Sequence, residues 1–305
     1  MEYDLSSASK ENSESEMRQE LYILKMEQIT KETVRKKLDI IRRADDANKS
    51  DLGHLLICAG SYGMAGAAVM CGTGALKSGS GLVTFYCNKE IIPILQVSLP
   101  QAMCIDIDNN VVMQKFSALA IGPGLMTKTG ERRLGDFING FTRPMVIDAQ
   151  ALNVLASAPD MMAAVKKRTG DTVMTPHEGE MARLLGKESR DVKADRTGAV
   201  HRLHEMTGSV AVLKGKETLI AGKNGKVYIN TTGNPGMATG GSGDVLTGMI
   251  AALAAQGMSA EDAAVCGVFL HGRAADICRR YTGEISMTAM DIAGAVPAAF
   301  MDVID

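Results

Sequence analysis

Between residues 55 and 214 the chain repeats one pattern, a short apolar run followed by a stretch of helical periodicity. The runs are Leu55–Ala59, Leu82–Tyr86, Ala118–Ile121, Met145–Ile147, Val173–Thr175 and Val210–Lys214. A strand with one solvated face alternates apolar with polar residues, so unbroken apolar runs read as strands covered on both faces. The stretches between them, Gly66–Lys77, Lys128–Asn139, Ala151–Leu155, Glu178–Leu185 and Ala194–Thr207, read as helices. Parallel strands need crossovers of this kind, which predicts a three-layer αβα fold around a mostly parallel sheet. Upstream, Val34, Leu38 and Ile41 share one face of a helix within Ile29–Arg43. Downstream, Leu219–Ala221 and Val227–Asn230 flank Gly222–Gly225 as an antiparallel hairpin. Beyond Val245 two Ala-rich helices surround Gly257, and a shorter one follows near Ala289–Val303. No repeat or linker breaks residues 40–305. The expectation is one domain over 26–305, preceded by a polar extension, residues 1–25, outside the main fold.

Apolar residues at 46% supply a substantial core, and with 4% aromatics, no Trp and 20 Met that core must be aliphatic and Met-rich. The 33 basic and 35 acidic residues form no long basic block, which excludes a nucleic-acid footprint. Cys58, Cys71, Cys87, Cys104, Cys266 and Cys278 have no CxxC or finger-like spacing, so reduced thiols are expected rather than a metal cage or disulfide framework. The polar, acidic N-terminus is neither signal nor transit peptide, and no uncharged apolar run reaches membrane-spanning length. A cytoplasmic location with no membrane partner is expected.

Glycine is densest in TTGNPGMATGGSGD, residues 231–244, ahead of a helix beginning near Ser242 or Asp244. Without a Cβ in the way, backbone N–H groups approach phosphate oxygens closely, and a helix N-terminus adds a favourable dipole. On the glycine pattern alone an ordinary loop explains the segment equally well. Asp244 also has two readings. It is a helix N-cap, or it is a catalytic base placed where acceptor hydroxyl and transferring phosphoryl group must converge. GxxxxGK[ST] is absent and GGSGD does not follow a strand, so neither a P-loop nor a dinucleotide-binding fingerprint fits.

Gly240-Gly241-Ser242-Gly243-Asp244 instead resembles the G-[TS]-G-D anion hole of the ribokinase superfamily. Ahead of it stand, in order, GHLLICAGSYGMAGAAVMCGTGALKSGSGLVTFY (53–86), IGPGL (121–125), VIDAQALNVLA (146–156), TPHEGE (175–180) and LKGKET (213–218). Together these segments are similar to the ADP-dependent NAD(P)H-hydrate dehydratase family across roughly residues 26–305. The resemblance implies a ribokinase-like fold, hydrated NADH or NADPH as substrate, and ADP (or ATP) as co-substrate with Mg2+ on its phosphates. Dehydration would return NAD(P)H and release AMP and phosphate. By the same resemblance Ala67, Gly124, His177 and Asp244 contact substrate, and Lys214, Gly215, Lys216, Glu217, Thr218 and Gly243 contact nucleotide. Asp244 acts with Gly241, Ser242 and Gly243 in catalysis, and no residue is assigned to a metal. A homo-oligomer, a tetramer, is implied too, and the companion epimerisation is expected from a separate epimerase chain. One departure stands out: the family's DADALN reads Asp148-Ala149-Gln150-Ala151-Leu152-Asn153, with Gln150 for the second Asp.

Plainer readings stand beside these assignments. Gly60–Gly66 fits an ordinary turn between strand and helix, and Lys214 a solvated strand end. His201 and His204 share a helix face at i, i+3 without a third ligand and are expected on the surface. His54 is structural, and His271 in LHGRA supports the nucleotide side. Two other functions remain open on sequence: a small-molecule kinase of the hydroxyethylthiazole or hydroxymethylpyrimidine type, leaving a stable phosphorylated product, and a catalytically idle nucleotide-binding sensor. Retention of Asp244 argues against the sensor.

Overall fold

In a computed structural model, which describes residues 26–305, ten strands pair into one sheet. They are β1 (Met26–Gln28), β2 (His54–Cys58), β3 (Leu82–Cys87), β4 (Met103–Asp106), β5 (Ala118–Ile121), β6 (Met145–Ile147), β7 (Thr172–Met174), β8 (Val210–Leu213), β9 (Thr218–Ala221) and β10 (Val227–Asn230). Their order is β1-β10-β9-β8-β7-β6-β5-β2-β3-β4. Only β9 runs antiparallel to its neighbours, β8 and β10; every other adjacent pair is parallel. The six expected buried strands and the hairpin are therefore present. The edge strands β1 and β4 are additions, and neither has an unbroken buried run to announce it.

The pleat sends alternate side chains to opposite faces. Leu55 and Ile57 enter one core, Leu56 and Cys58 the other. The first face is covered by α1 (Lys31–Leu38), α2 (Ala65–Lys77), α3 (Ile92–Ser98) and, beyond the hairpin, by the three C-terminal helices. The second is covered by α4 (Lys128–Gly140), α5 (Gln150–Ser157), α6 (Pro159–Lys166), α7 (Glu178–Leu185), α8 (Ser189–Ala194) and α9 (Arg196–Thr207). The C-terminal helices are α10 (Ser242–Ala255), α11 (Ala260–Thr282) and α12 (Ala289–Ile304). At 16 residues α12 is longer than the 14-residue α10, correcting the expectation of a short last helix. A capping box of Thr288 and Asp291 starts it at Ala289, where the sequence placed it.

His201 also departs from expectation. It lies buried on the inner side of α9, next to Val200 and Leu203, because α9 lays that face on the second core. His204 is half-buried, with Nδ1 2.7 Å from the Ser209 carbonyl oxygen. All six cysteines are free thiols, and no described helix is long and apolar enough to cross a membrane. The expected extension, residues 1–25, lies outside the described residues.

Candidate active site

Strand order reverses between β2 and β5, so the crossovers leave the sheet in opposite directions there, and open α/β sheets bind ligands beyond the strands' carboxyl ends at such a point. Each parallel strand delivers its next residues to that edge. β6 delivers Asp148, which is only 1% exposed. A buried carboxylate needs partners, and Asp148 has two. Lys214 Nζ donates to Oδ1 at 2.7 Å and Thr247 Oγ1 donates to Oδ2 at 2.7 Å, from 66 and 99 residues away. Lys214 follows β8 and Thr247 lies on α10, so one carboxylate locks two strand ends to a helix. Lys214 Nζ also stands 3.9 Å from Glu180 Oε2. Burial lowers the Lys214 pKa, but the carboxylates of Asp148 and Glu180 outweigh it and hold the ammonium above its ordinary range. Lys214 is thus a paired, mostly buried cation and not a solvated strand end.

The first turn of α10 points at this cation. Gly241 opens it with φ +89°, and a Cβ there would fall 2.0 Å from Met70 Sδ on α2. Ser242 N–H donates to the Thr239 carbonyl at 3.4 Å and Val245 N–H to that of Gly241 at 3.1 Å. The N–H groups of Gly243 and Asp244 have no acceptor among the described residues, which makes them donors for an anion. A Cβ on Gly243 would lie 3.2 Å from Lys214 Nζ, so amides and ammonium converge where glycine leaves room.

Asp244 is the third residue of the helix, and its side chain caps nothing. The capping reading therefore fails. Burial first, then the charges of Asp148 and Glu180, push its pKa up to about 7, against the pull of Lys214. A carboxylate poised near neutrality suits general-base work. Beneath it, His271 Nε2 lies 3.4 Å from Ser242 Oγ, and burial with the nearby Lys214 pushes the imidazole down to about 4. His271 is thus a neutral buried support for the glycine turn.

The remaining expected contacts sort along the same edge. Ala67 on α2 and Gly124 after β5 meet: a Cβ on Gly124 (φ +61°) would lie 2.9 Å from the Ala67 Cβ, and Ser61 Oγ donates to the Gly124 carbonyl at 2.8 Å. His177 heads α7 in a capping box, its Nδ1 accepting from Gly179 N–H at 3.0 Å and Glu180 N–H at 3.3 Å. Its Nε2 already stands 3.5 Å from Glu180 Oε1, so any ligand contact on that side is shared with this carboxylate. Gly215, Lys216, Glu217 and Thr218 form a tight turn in which Thr218 Oγ1 donates to the Gly215 carbonyl at 3.0 Å. Gly215 at φ +145° and Glu217 at φ +54° hold its backbone, and Arg196 donates to the carbonyls of Lys216 and Leu213.

Sequence reading did not anticipate the roles of Thr247, Arg196 or Asp276. Asp276 on α11 accepts from Gly233 N–H at 2.9 Å and Asn234 Nδ2 at 3.1 Å, fixing the start of the glycine-rich segment. Only Thr247 left a local signal, as a hydroxyl within the otherwise apolar and buried stretch 245–255 of α10.

A doubly wound αβα sheet, with a glycine turn feeding a helix and a carboxylate one turn in, defines a protein of the ribokinase-like class. Residues 55–298 match the family model described as NAD(P)H-hydrate dehydratase, and the chain belongs to that family. It is 39% identical over 255 residues to the bifunctional NAD(P)H-hydrate repair enzyme Nnr of Coxiella burnetii, covering 82% of this chain and 51% of that protein. It is 37% identical over 246 residues to the ADP-dependent (S)-NAD(P)H-hydrate dehydratase of Neisseria meningitidis serogroup B, covering 79% and 82%. The ADP/ATP-dependent NAD(P)H-hydrate dehydratase of Bacillus subtilis, co-crystallized with ATP/Mg2+, superposes with TM-score 0.80 at 30% identity, over 90% of this chain and 98% of that one. The chain spans about half the length of the bifunctional relatives it matches.

Proposed function

We propose that the chain repairs hydrated NADH and NADPH, spending ADP to drive their dehydration. The observation that carries this reading is Asp244, an uncapped carboxylate raised to about 7 beside two available amides and the Lys214 ammonium. Hydroxide leaves the hydrated ring poorly, and a phosphate ester leaves well. Asp244 takes the proton of the ring hydroxyl as that oxygen bonds the terminal phosphorus of ADP, and the bond to AMP breaks. The Gly243 and Asp244 amides and Lys214 face the charge developing on the phosphoryl oxygens. The ring nitrogen then pushes phosphate out, and the neighbouring ring carbon gives up a proton, which regenerates the reduced dinucleotide.

Ala67, Gly124 and the Nε2 side of His177 line the substrate end in this reading, and the Lys214–Thr218 turn holds the nucleotide. Among the described residues no three or more His, Cys, Asp or Glu side chains converge on a metal, and both Asp148 oxygens are engaged. In this reading Mg2+ accompanying the nucleotide would sit on phosphate and water oxygens. Residues 26–305 acting as one domain, a cytoplasmic location and a companion epimerase in the same repair route complete the proposal. Homo-oligomerisation, as a tetramer, belongs to it too. It is supported by an exposed stripe of Met290, Met301 and Ile304 along α12, and sedimentation velocity tests it.

The deciding assay incubates hydrated NADPH with Mg2+ and either ADP or ATP and follows the return of NADPH absorbance. ADP is expected to support the faster turnover. A stable phosphorylated product with no NADPH would replace this reading with the kinase one.

A further inference from the structure

We propose that Arg183 forms a phosphate subsite that grips the hydrated dinucleotide, an inference that rests on the dehydratase reading. Arg183 sits on α7, the helix headed by His177, and long helical side chains lean back toward the N-terminus. Its Nη1 comes within 3.8 Å of the position a Gly179 Cβ would occupy, and the His177 ring approaches that point to 3.1 Å. The bare backbone of Gly179 thus lies between an imidazole and a guanidinium.

The guanidinium is aimed rather than loose. Arg183 Nε donates to Asn153 Oδ1 at 2.8 Å, and Asn153 Nδ2 donates to Gln150 Oε1 at 3.3 Å. This chain of neutral amides fixes one edge of the fork and leaves both terminal amino groups without an acceptor among the described residues. It adds no counter-charge. No described carboxylate lies within 4.0 Å of Arg183, whereas Lys193, Arg196 and Lys214 each have one. Lys193 and Arg196 lie 3.5 Å and 3.9 Å from Glu178, and Lys214 pairs with Asp148. An arginine in the last turn gains something from the helix dipole, but that gain requires no Asn153 tether. A tethered, uncompensated, two-pronged donor matches the oxygens of a phosphate. The substrate has two sources: the pyrophosphate common to both hydrates, and the ribose 2′-phosphate of the NADPH form alone.

The test compares the parent with Arg183→Gln and Arg183→Lys, each confirmed as folded by thermal melting. Steady-state constants are measured for NADH hydrate, NADPH hydrate and ADP. Arg183→Gln is expected to raise the hydrate KM roughly tenfold to a hundredfold, with kcat and the ADP KM little changed and Arg183→Lys recovering part of the loss. Equal losses on both hydrates place the pyrophosphate at Arg183, and a loss confined to NADPH hydrate places the 2′-phosphate there. Equilibrium binding of NADPH itself, without nucleotide, reads the same grip independently of turnover. Unchanged NADPH affinity and hydrate KM in a folded Arg183→Gln protein, or a rise in the ADP KM alone, overturns the subsite. A parent protein inert toward both hydrates overturns the dehydratase reading instead, and NADPH binding still decides Arg183.

Discussion

Asp244 and Lys214 carry opposite charges, and single substitutions separate the roles proposed for them. Asn keeps the size of Asp244 but accepts no proton, so Asp244→Asn should lower kcat at least about a hundredfold while ADP still raises the melting temperature. A variant that restores NADPH near the parental rate sinks the mechanism. The base must be ionised to act, so kcat/KM should climb with pH and level off above about 7. Stability runs the other way. A folded-state pKa raised above the unfolded value means the charged form costs stability above the ordinary aspartate range. Asp244→Asn should therefore melt higher than the parent at pH 8, with the gain shrinking as pH falls through 7 and gone below the ordinary range. Lys214→Met removes the cation that restrains Asp244 and strands buried Asp148. The acidic limb should move to higher pH, and the fold should lose about 3–5 kcal/mol in denaturant titration. An unmoved limb would show that Lys214 does not tune the base.

At the scale of elements, what aims Asp244 is the contact of α10 with α2, and that contact is backbone against backbone. A Cβ on Gly248 would fall 1.9 Å from the Cys71 carbonyl oxygen, and one on Gly74 2.3 Å from that of Val245. Gly248→Ala must push the helices apart, at about 1–3 kcal/mol, and should lower both melting temperature and kcat. A Cβ on Gly135 of α4 would meet only Met161 Cε, at 3.6 Å, so Gly135→Ala should stabilise by about 0.5–1 kcal/mol and leave kcat unchanged. Equal effects from the two would remove the close-packing argument. Elements buried on both faces were legible because burial writes unbroken apolar runs, as in Leu55–Cys58. β1 and β4 were not, because edge strands of three and four half-buried residues write no run. The site was half legible. GGSGD announced Asp244, but the pairing of Asp148 with Lys214 and Thr247 spans 66 and 99 residues and leaves no local spacing to read. His201 was misplaced for a related reason: periodicity gave its face, and only packing decides which face turns inward.

For the whole molecule, the proposed boundary of the folding unit rests on three residues at the edge of the sheet. Met26, Glu27 and Gln28 pair in parallel with Val227, Tyr228 and Ile229, closing the open side of β10. Ile29 N–H continues the ladder to the Ile229 carbonyl at 2.9 Å, and the Ile29 side chain is 1% exposed within the first core. Thr30 then caps α1, its Oγ1 accepting from Thr33 N–H at 3.1 Å. Residues 1–25 precede all of this and every site motif. Deleting 1–25 should leave melting temperature and specific activity near the parental values. Deleting 1–30 should differ sharply, since it removes a buried Ile worth about 1.5–3 kcal/mol and a cap worth about 1 kcal/mol. It also leaves the edge of β10 unpaired, which invites association between chains. Melting and light scattering of the two truncations side by side make the comparison. Two truncations with the same melting temperature would place the boundary downstream of β1. Loss of folding or turnover on deleting 1–25 alone would place it upstream, making that segment part of the domain or of an oligomer contact.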